Sequence, residues 1–423
     1  MADFEAGVSD LTLKQAAVRY LRSTEAIRER CGQLFELCLQ DRLAYFRCDL
    51  ERLGAVADYV TQEIQTNYPD WQVPFHSRWR HFQAGGVDRL AQLDQKLAHL
   101  PPLEQARAKF DLAVTSVLLD AGAGATWTYT ETETGQTFQR SEGLAVASYC
   151  LFLNGGFASQ PDQLRVDAVG LQQLTLETLA NGFQVTAANP LVGLEGRLQL
   201  MQQLGRVLAR SPELFGELGR PGGLVDYLLL QALQGKLPAH TVFEAVLLGF
   251  SEIWPGRTTL AGVNLGDVWR HSGLPNSGSP NTDLGSQLVP FHKLSQWLTY
   301  SLLEPLQDLG LEITDLDQLT GLAEYRNGGL CLDLGLLQPK QVIVLSEPHA
   351  PSSEVIVEWR ALTVVLLDQI AATIRQRQNL TAAELPLAKV LEGGTWAAGR
   401  RIAASLRPNG EPPIRIVSDG TVF

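Results

Sequence analysis

The chain has 423 residues, 45% of them apolar and 19% charged, with a formal net charge of −12. That length allows a large core and one to three domains. The negative balance argues against a nucleic-acid-binding surface, which needs a basic patch or stripe, but leaves room for a local arginine cluster that holds a phosphorylated small molecule.

No apolar run is long enough to cross a membrane; Leu362 to Ile370 is interrupted by Asp368. Met1-Ala2-Asp3-Phe4-Glu5 is acidic and lacks the basic, then apolar, start of a secretory signal, so a cytoplasmic location is expected. The five cysteines are Cys31, Cys38, Cys48, Cys150 and Cys331, an odd number with no CxxC pair. They read as buried thiols in a reducing compartment.

In chain order, residues 11 to 65 read as helix. Val18, Leu21, Ile27, Cys31, Leu34 and Cys38 recur in steps of mostly three or four, which puts Cys31 and Cys38 on one face. Asp10 is the expected N-cap, with Asp3 or Ser9 as alternatives. Tyr68-Pro69-Asp70 breaks the pattern, and a loop follows that carries Pro74 to Trp79 and is punctuated by Gly85-Gly86. Leu90 to Leu100 is helical up to Pro101-Pro102, and 103 to 119 form another helix. Trp127 to Thr130, the turn Thr134-Gly135 and Phe138 read as a β-hairpin. A small-residue helix covers Gly143 to Leu153. Residues 162 to 250 are helical, with breaks at Asn189-Pro190 and Arg220 to Gly223. Residues 272 to 286, rich in Ser, Gly, Pro and Asn, read as a surface loop. A helix is expected from Lys293 to Leu306, strands at Val342 to Leu345 and Val355 to Trp359, helices at 364–376, 381–391 and 395–405, and a short strand at Ile414 to Val417. The class is mainly α with a small β-sheet. The expected organisation is one compact unit over 1–423, with a helical N-terminal lobe to about 110 as the alternative.

Five polar words stand out inside this apolar sequence. They are His76-Ser77-Arg78-Trp79-Arg80-His81, Arg140-Ser141-Glu142-Gly143, His292-Lys293, Glu324-Tyr325-Arg326-Asn327-Gly328-Gly329 and Glu358-Trp359-Arg360. Burying such charges is costly unless they are paired or hydrogen-bonded, so the words are expected to converge on one site. Arg78 and Arg80 offer planar donor forks for phosphate or carboxylate, and a salt-bridge cluster is the structural alternative. Ser141 is a candidate helix cap. Asp120 ends a helix where an acid opposes the dipole, so a partner must hold it. His292 and Lys293 open a helix that carries Trp297 and Tyr300 on the Lys293 face. Glu358 and Arg360, two apart on the expected strand, would share a face. His76 and His81 are five apart, which does not diagnose a metal site; no metal and no cofactor are expected. No GxSxG elbow is present.

Together these words resemble the uracil-catabolism protein 4 family of fungi and bacteria. The likeness is carried by Pro74 to His81, Arg140 to Leu144, Val289 to Trp297, Leu319 to Gly329 and Val357 to Ala361. It implies a place in a uracil-degradation route that passes through UMP, opens the pyrimidine ring and releases urea. Ala323-Glu324-Tyr325-Arg326, followed by Ser353 to Ala361, is also similar to the closing part of the queuosine salvage glycosidase family. That likeness implies N-glycosidic hydrolysis on a helical fold related to DNA glycosylases. Here Glu324 replaces that family's Asp, and Ser301 stands where it has a second one.

The function expected from these readings is hydrolysis of the N-ribosidic bond of a ribosylurea or its phosphate. Glu324 is the first candidate carboxylate, with Glu358 and Glu142 as reserves. Arg78, Arg80 and Lys293 would hold phosphate or ribose hydroxyls, and Trp297, Tyr325 and Trp127 would pack on urea or ribose. His81, His292, Arg326 and Arg360 complete the expected substrate-binding set. The expected partners are a small ribosyl or ribosyl-phosphate substrate and other uracil-catabolism enzymes, with neither nucleic acid nor membrane. The rival reading is a non-catalytic protein that binds or channels a phosphorylated ribosyl intermediate.

Overall fold

The stretch Val355 to Val364 is buried at every position, and so it cannot be a two-faced element. It forms the first half of the helix Glu354–Gln378, which packs against Thr24–Leu39, Leu53–Asn67 and Tyr325–Asp333. A helix enclosed on all sides is apolar all round. Its start carries Glu354 and its last turn Arg375 and Arg377, matching the helix dipole, and Asn379 closes it in the left-handed region. The strand expected at Val355 to Trp359 is therefore corrected. The β-branched run Val355-Ile356-Val357 favours a strand locally, but packing on every side overrides that preference. Val342 to Leu345 is likewise not a strand, because Ile343–Ser346 is a single helical turn.

The structure is a computed structural model. It describes residues 2–254, 258–275 and 284–417, with side chains from residue 12 onward. The described residues group into two compact units. The first takes those of Met1–His76, Gly256–Gln296 and Asp315–Val417; the second takes those of Ser77–Pro255 and Trp297–Thr314. The division falls within the helix Lys293–Asp308.

In the first unit the helices Thr24–Leu39, Leu53–Asn67 and Tyr325–Asp333 pack on Glu354–Gln378, while Ala2–Leu21 packs on Thr24–Leu39 and Ala397–Leu406 on Tyr325–Asp333 and Leu53–Asn67. Asp10 does not cap a helix, since Ala2–Leu21 already runs through it. Cys31 and Cys38 lie in Thr24–Leu39, both buried. Strand Phe46–Cys48 pairs antiparallel with Leu337–Pro339, and Pro348–His349 pairs parallel with Arg415–Ile416, the short closing strand expected from sequence. Between residues 381 and 391, only Leu387–Val390 is α-helical; residues 382–384 form a turn, and a π-helical stretch at Leu391–Trp396 leads into Ala397–Leu406. Of the expected loop 272–286, residues 276–283 lie outside the described residues.

The second unit is built on Pro102–Leu118, Arg140–Leu153, Leu194–Arg210 and Ala239–Phe250. The expected hairpin is present, with Tyr129 opposite Phe138 and Thr130 opposite Thr137. Fully buried Arg89 fastens it. Its Nε and Nη2 donate to Glu131 at 2.7 and 2.6 Å, and its Nη1 donates to the Phe82 and Ala84 carbonyls. Pro305 sits inside Lys293–Asp308 and cannot donate to the Ser301 carbonyl one turn back. The Trp79 indole donates to that carbonyl instead, at 2.7 Å. Among the described residues no strand belongs to a sheet of more than two, so the fold is mainly α with a minor β part. Among the described residues no helix is long and apolar enough to cross a membrane.

Candidate functional site

In the first unit, Glu324 ends an extended segment and caps the helix Tyr325–Asp333. Its Oε2 accepts from the Arg326 amide at 2.7 Å and its Oε1 from the Asn327 amide at 2.6 Å. An N-cap of this kind satisfies two amides that the helix itself cannot pair. The carboxyl is buried, and burial raises its pKa above the ordinary glutamate value. The Arg326 amide, the Lys293 ammonium, the Asn327 amide and the Arg326 charge oppose that rise without cancelling it. A carboxylate has about four lone-pair directions, so two amides leave it room for another donor.

Gly328, in the next turn, is required by packing: a Cβ there would lie 2.7 Å from the Trp359 ring. Arg326 donates through Nη1 to the Gly410 carbonyl at 3.1 Å, and its guanidinium sits 5.0 Å from the Tyr325 ring centre.

Asp267 binds this part of the unit together. Arg360 grips it with both ends of its fork, Nη1 to Oδ1 and Nη2 to Oδ2, each at 2.7 Å. The Trp269 indole donates to Oδ1 at 2.7 Å and the Lys293 amide to Oδ2 at 3.0 Å. Burial alone would push the Asp267 carboxyl up; the Arg360 charge and these donors outweigh it and hold the group well below the usual carboxylate range. The Arg360 Nε donates to the carbonyl of Ala323, the residue before Glu324, at 3.2 Å, and its guanidinium lies 4.0 Å from the Phe291 ring centre. One arginine thus ties the segment entering Glu324 to the aspartate that caps the helix starting at Lys293. Sequence reasoning missed Asp267, whose partner lies 93 positions away.

Glu358 is not beside Arg360 on a shared face, because the two are separated by about half a turn of helix. Its oxygens accept from the amides of Ala44 at 3.1 Å and Tyr45 at 3.0 Å, and His271 Nε2 lies 3.4 Å from Oε1. His292 has positive φ, and its ring Nε2–H donates to the Leu21 carbonyl at 2.8 Å; burial lowers its pKa, so it is held neutral. His76 Nδ1 lies 2.7 Å from Glu392.

The second unit gathers a different set. Arg78 opens the short helix Arg78–Phe82, which corrects the end of the expected loop. The guanidinium is fully buried between the Trp297 and Phe82 rings, 5.6 and 5.8 Å from their centres. Nε donates to Ser116 Oγ at 2.7 Å, and Nη1 to Asp120 Oδ2 at 2.6 Å and to the Ser141 carbonyl at 3.3 Å. Asp120 has thereby the partner that its position demanded. Nη2 has no hydrogen-bond partner among the described residues. Burial lowers the Arg78 pKa, against the charges of Asp120 and Glu142. Ser116 Oγ is 2.6 Å from Ser148 Oγ.

His81 meets Trp297 edge-on at 5.6 Å. Arg80 pairs with Glu304 at 2.8 Å, and Ser77 donates to the same carboxylate. Ser301 Oγ accepts from the Arg78 amide and donates to the Trp297 carbonyl. Trp127 is a core residue, with its indole donating to the Phe183 carbonyl at 3.0 Å. Glu142 is half-buried in the first turn of Arg140–Leu153; Ser141 does not cap that helix, whose N-cap is Gln139. Fully buried Arg197, also missed from sequence, donates to the Leu119, Ala121, Gly122 and Val192 carbonyls and so builds the turn beside Asp120.

The sequence words thus sort by unit. Lys293, Glu324, Tyr325, Arg326, Glu358, Arg360 and His292 belong to the first, and Arg78, Arg80, His81, Trp127, Glu142 and Trp297 to the second. Among the described residues, no three or more His, Cys, Asp or Glu side chains are grouped to hold a metal ion.

Residues 20–423 match the family described as "Protein of unknown function (DUF1688)". The chain is 40% identical to "Uracil catabolism protein 4" of Lachancea kluyveri over 437 aligned positions, covering 96% of this chain and 99% of that protein. It is 41% identical to "Protein urg3" of Schizosaccharomyces pombe (strain 972 / ATCC 24843) over 416 positions, again with 96% and 99% covered. The resemblance carried by the five words is borne out, and the chain belongs to the DUF1688 family, together with uracil catabolism protein 4.

Proposed function

We propose that this protein acts in uracil catabolism, where it hydrolyses the N-ribosidic bond of ribosylurea or its 5′-phosphate and releases urea. The pathway follows from the name of the Lachancea kluyveri relative and from identity over nearly the whole of both chains. The observation that carries the chemistry is Glu324: a buried carboxyl with raised pKa, fixed by two amides, within the influence of the Lys293 ammonium.

In this reading the C1′–N bond breaks with its electron pair going to the urea nitrogen, which takes a proton from solvent; the proton that Glu324 later accepts from the attacking water returns to solvent, so that water is the sole co-reactant. Positive charge develops on C1′ and the ring oxygen, and the Glu324 carboxylate lies against it. The same carboxylate accepts a proton from the water that attacks C1′, and a raised pKa suits that task near neutrality. Lys293 and Arg326 favour the ionised form of the group against its burial and offer donors to sugar hydroxyls. Glu358 takes a holding role, since the amides it accepts, Ala44 and Tyr45, belong to a distant loop that it pins, whereas those on Glu324 belong to the helix it caps. The DNA-glycosylase-like core implied by the queuosine salvage likeness belongs to this same reading.

The test is to mix the purified full-length protein with ribosylurea, with and without a 5′-phosphate, and to measure urea. The proposal expects catalytic release from one of the two. A rise in melting temperature with no urea from either would mark a binding protein instead.

A further inference from the structure

All five cysteines are free thiols, and two of them touch. Cys38 lies in the last turn of the helix Thr24–Leu39, and Cys48 ends the strand Phe46–Cys48. Their Sγ atoms are 2.9 Å apart. Both are held from elsewhere in the first unit: the helix packs on Glu354–Gln378, and Cys48 faces Leu337 across a two-stranded ladder. A disulfide bond is about 2.05 Å long, so each sulfur needs to move by only about half an ångström to close one. Cys38 is buried, whereas Cys48 is half-buried and gives a small oxidant a way in.

We propose that Cys38 and Cys48 are a reversible disulfide site, oxidised by a hydroperoxide, that latches the segment between them. The inference is independent of the reaction proposed above. That segment includes Ala44 and Tyr45, whose amides seat Glu358. The bond therefore braces the loop on which a fully buried carboxylate depends.

The chemistry balances with the hydroperoxide as sole oxidant. One thiolate of the pair attacks the peroxide oxygen, the O–O bond breaks, and a sulfenic acid forms as the leaving oxygen takes a proton. The second sulfur attacks the sulfenic sulfur, the S–O bond breaks, and the departing hydroxide takes the second thiol proton as water. With hydrogen peroxide, two thiols lose two electrons and two protons and two waters form. The Cys48 hydrogen bond lowers the Cys38 thiol, as a sensor thiol beside a resolving one requires. The remaining cysteines are placed otherwise. Cys31 and Cys331 are fully buried, burial raises both, and Cys150 lies against Tyr129 in the second unit. In a reducing compartment the pair rests as two thiols and closes only under oxidant.

The experiment treats the native full-length protein with hydrogen peroxide, blocks remaining thiols and digests with trypsin without reduction. The expected product is peptide 31–42 joined to peptide 48–52, two hydrogens lighter than the sum and separated again by dithiothreitol. Fragmentation of the joined peptide assigns the bond to Cys38, and a Cys31→Ser protein still forms it. Amide exchange at Ala44 and Tyr45 slows on oxidation. Recovery of Cys38 and Cys48 as blocked thiols or sulfinic acids without a joined peptide overturns the proposal. So does a joined peptide whose bond lies on Cys31.

Discussion

Two arginine–aspartate pairs with buried arginines, one in each unit, show how differently the same ion pair is used. Arg360 places both ends of its fork on Asp267 and its Nε on the Ala323 carbonyl. Arg78 places only Nη1 on Asp120, and its Nη2 has no partner among the described residues. Arg360 is thus engaged through all three of its nitrogens, whereas Arg78 is engaged through two. The two glutamates of the first unit differ in another respect. Glu358 accepts two amides beside His271, whereas Glu324 accepts two amides and has its pKa raised. The two glutamates accept the same number of amides and differ in where those amides come from: a distant loop for Glu358, the first turn of its own helix for Glu324.

The largest expected effect comes from breaking the complete pair. Arg360→Ala leaves Asp267 buried without its main counter-charge and should cost about 3–5 kcal/mol in urea unfolding. Replacing both residues by apolar ones of similar volume should cost far less, because no lone charge remains.

Asp267 and Asp111 sharpen the comparison through pH. Asp267 is held low, so its contribution is complete above the unfolded value and is lost only as pH falls through the folded one, below about 4. Asp111, in the second unit, is pushed by burial to about 6, even though Arg220 and the Val166 and Gly222 amides oppose the shift. Its contribution has the opposite sign: it is complete below about 4 and is lost as pH rises through 6. Between those limits Asp111 should change stability by about 3 kcal/mol, and Asp111→Asn should flatten the pH dependence of unfolding there. A profile unchanged by that substitution would contradict the assignment.

A smaller effect is expected at the proline-bearing helix. Trp79→Phe keeps the ring but removes the donor to the Ser301 carbonyl that Pro305 cannot serve. The expected loss is about 1–2 kcal/mol, read by denaturant unfolding.

Much of the helical pattern was legible because its signals are local. The Trp127 to Phe138 hairpin, the double proline starting Pro102–Leu118 and the period of Thr24–Leu39 each show within a dozen residues. Val355 to Trp359 misled for the complementary reason: a β-branched run has the same composition whether it lies in a strand or in a helix buried all round. Of the site, the word around Glu324 was visible as a charge among apolar neighbours. Its cap geometry was not, and neither was Asp267, Arg197 or the Ser116–Ser148 pair, whose partners come from distant segments. Trp127 looked like a stacking ring because an exposed and a buried tryptophan are written alike; its indole bond to Phe183 puts it in the core.

The central claim is that Glu324 does chemistry while Glu358 holds structure, and urea release from ribosylurea by Glu324→Gln and Glu358→Gln proteins tests it most directly. Glu324→Gln should fold as the parent does and release urea about a hundredfold more slowly, a loss of about 3 kcal/mol in the barrier. Glu358→Gln should lose stability first and keep most of its turnover per folded molecule. Near-parental urea release by Glu324→Gln, on whichever ribosylurea the parent cleaves, would contradict the account.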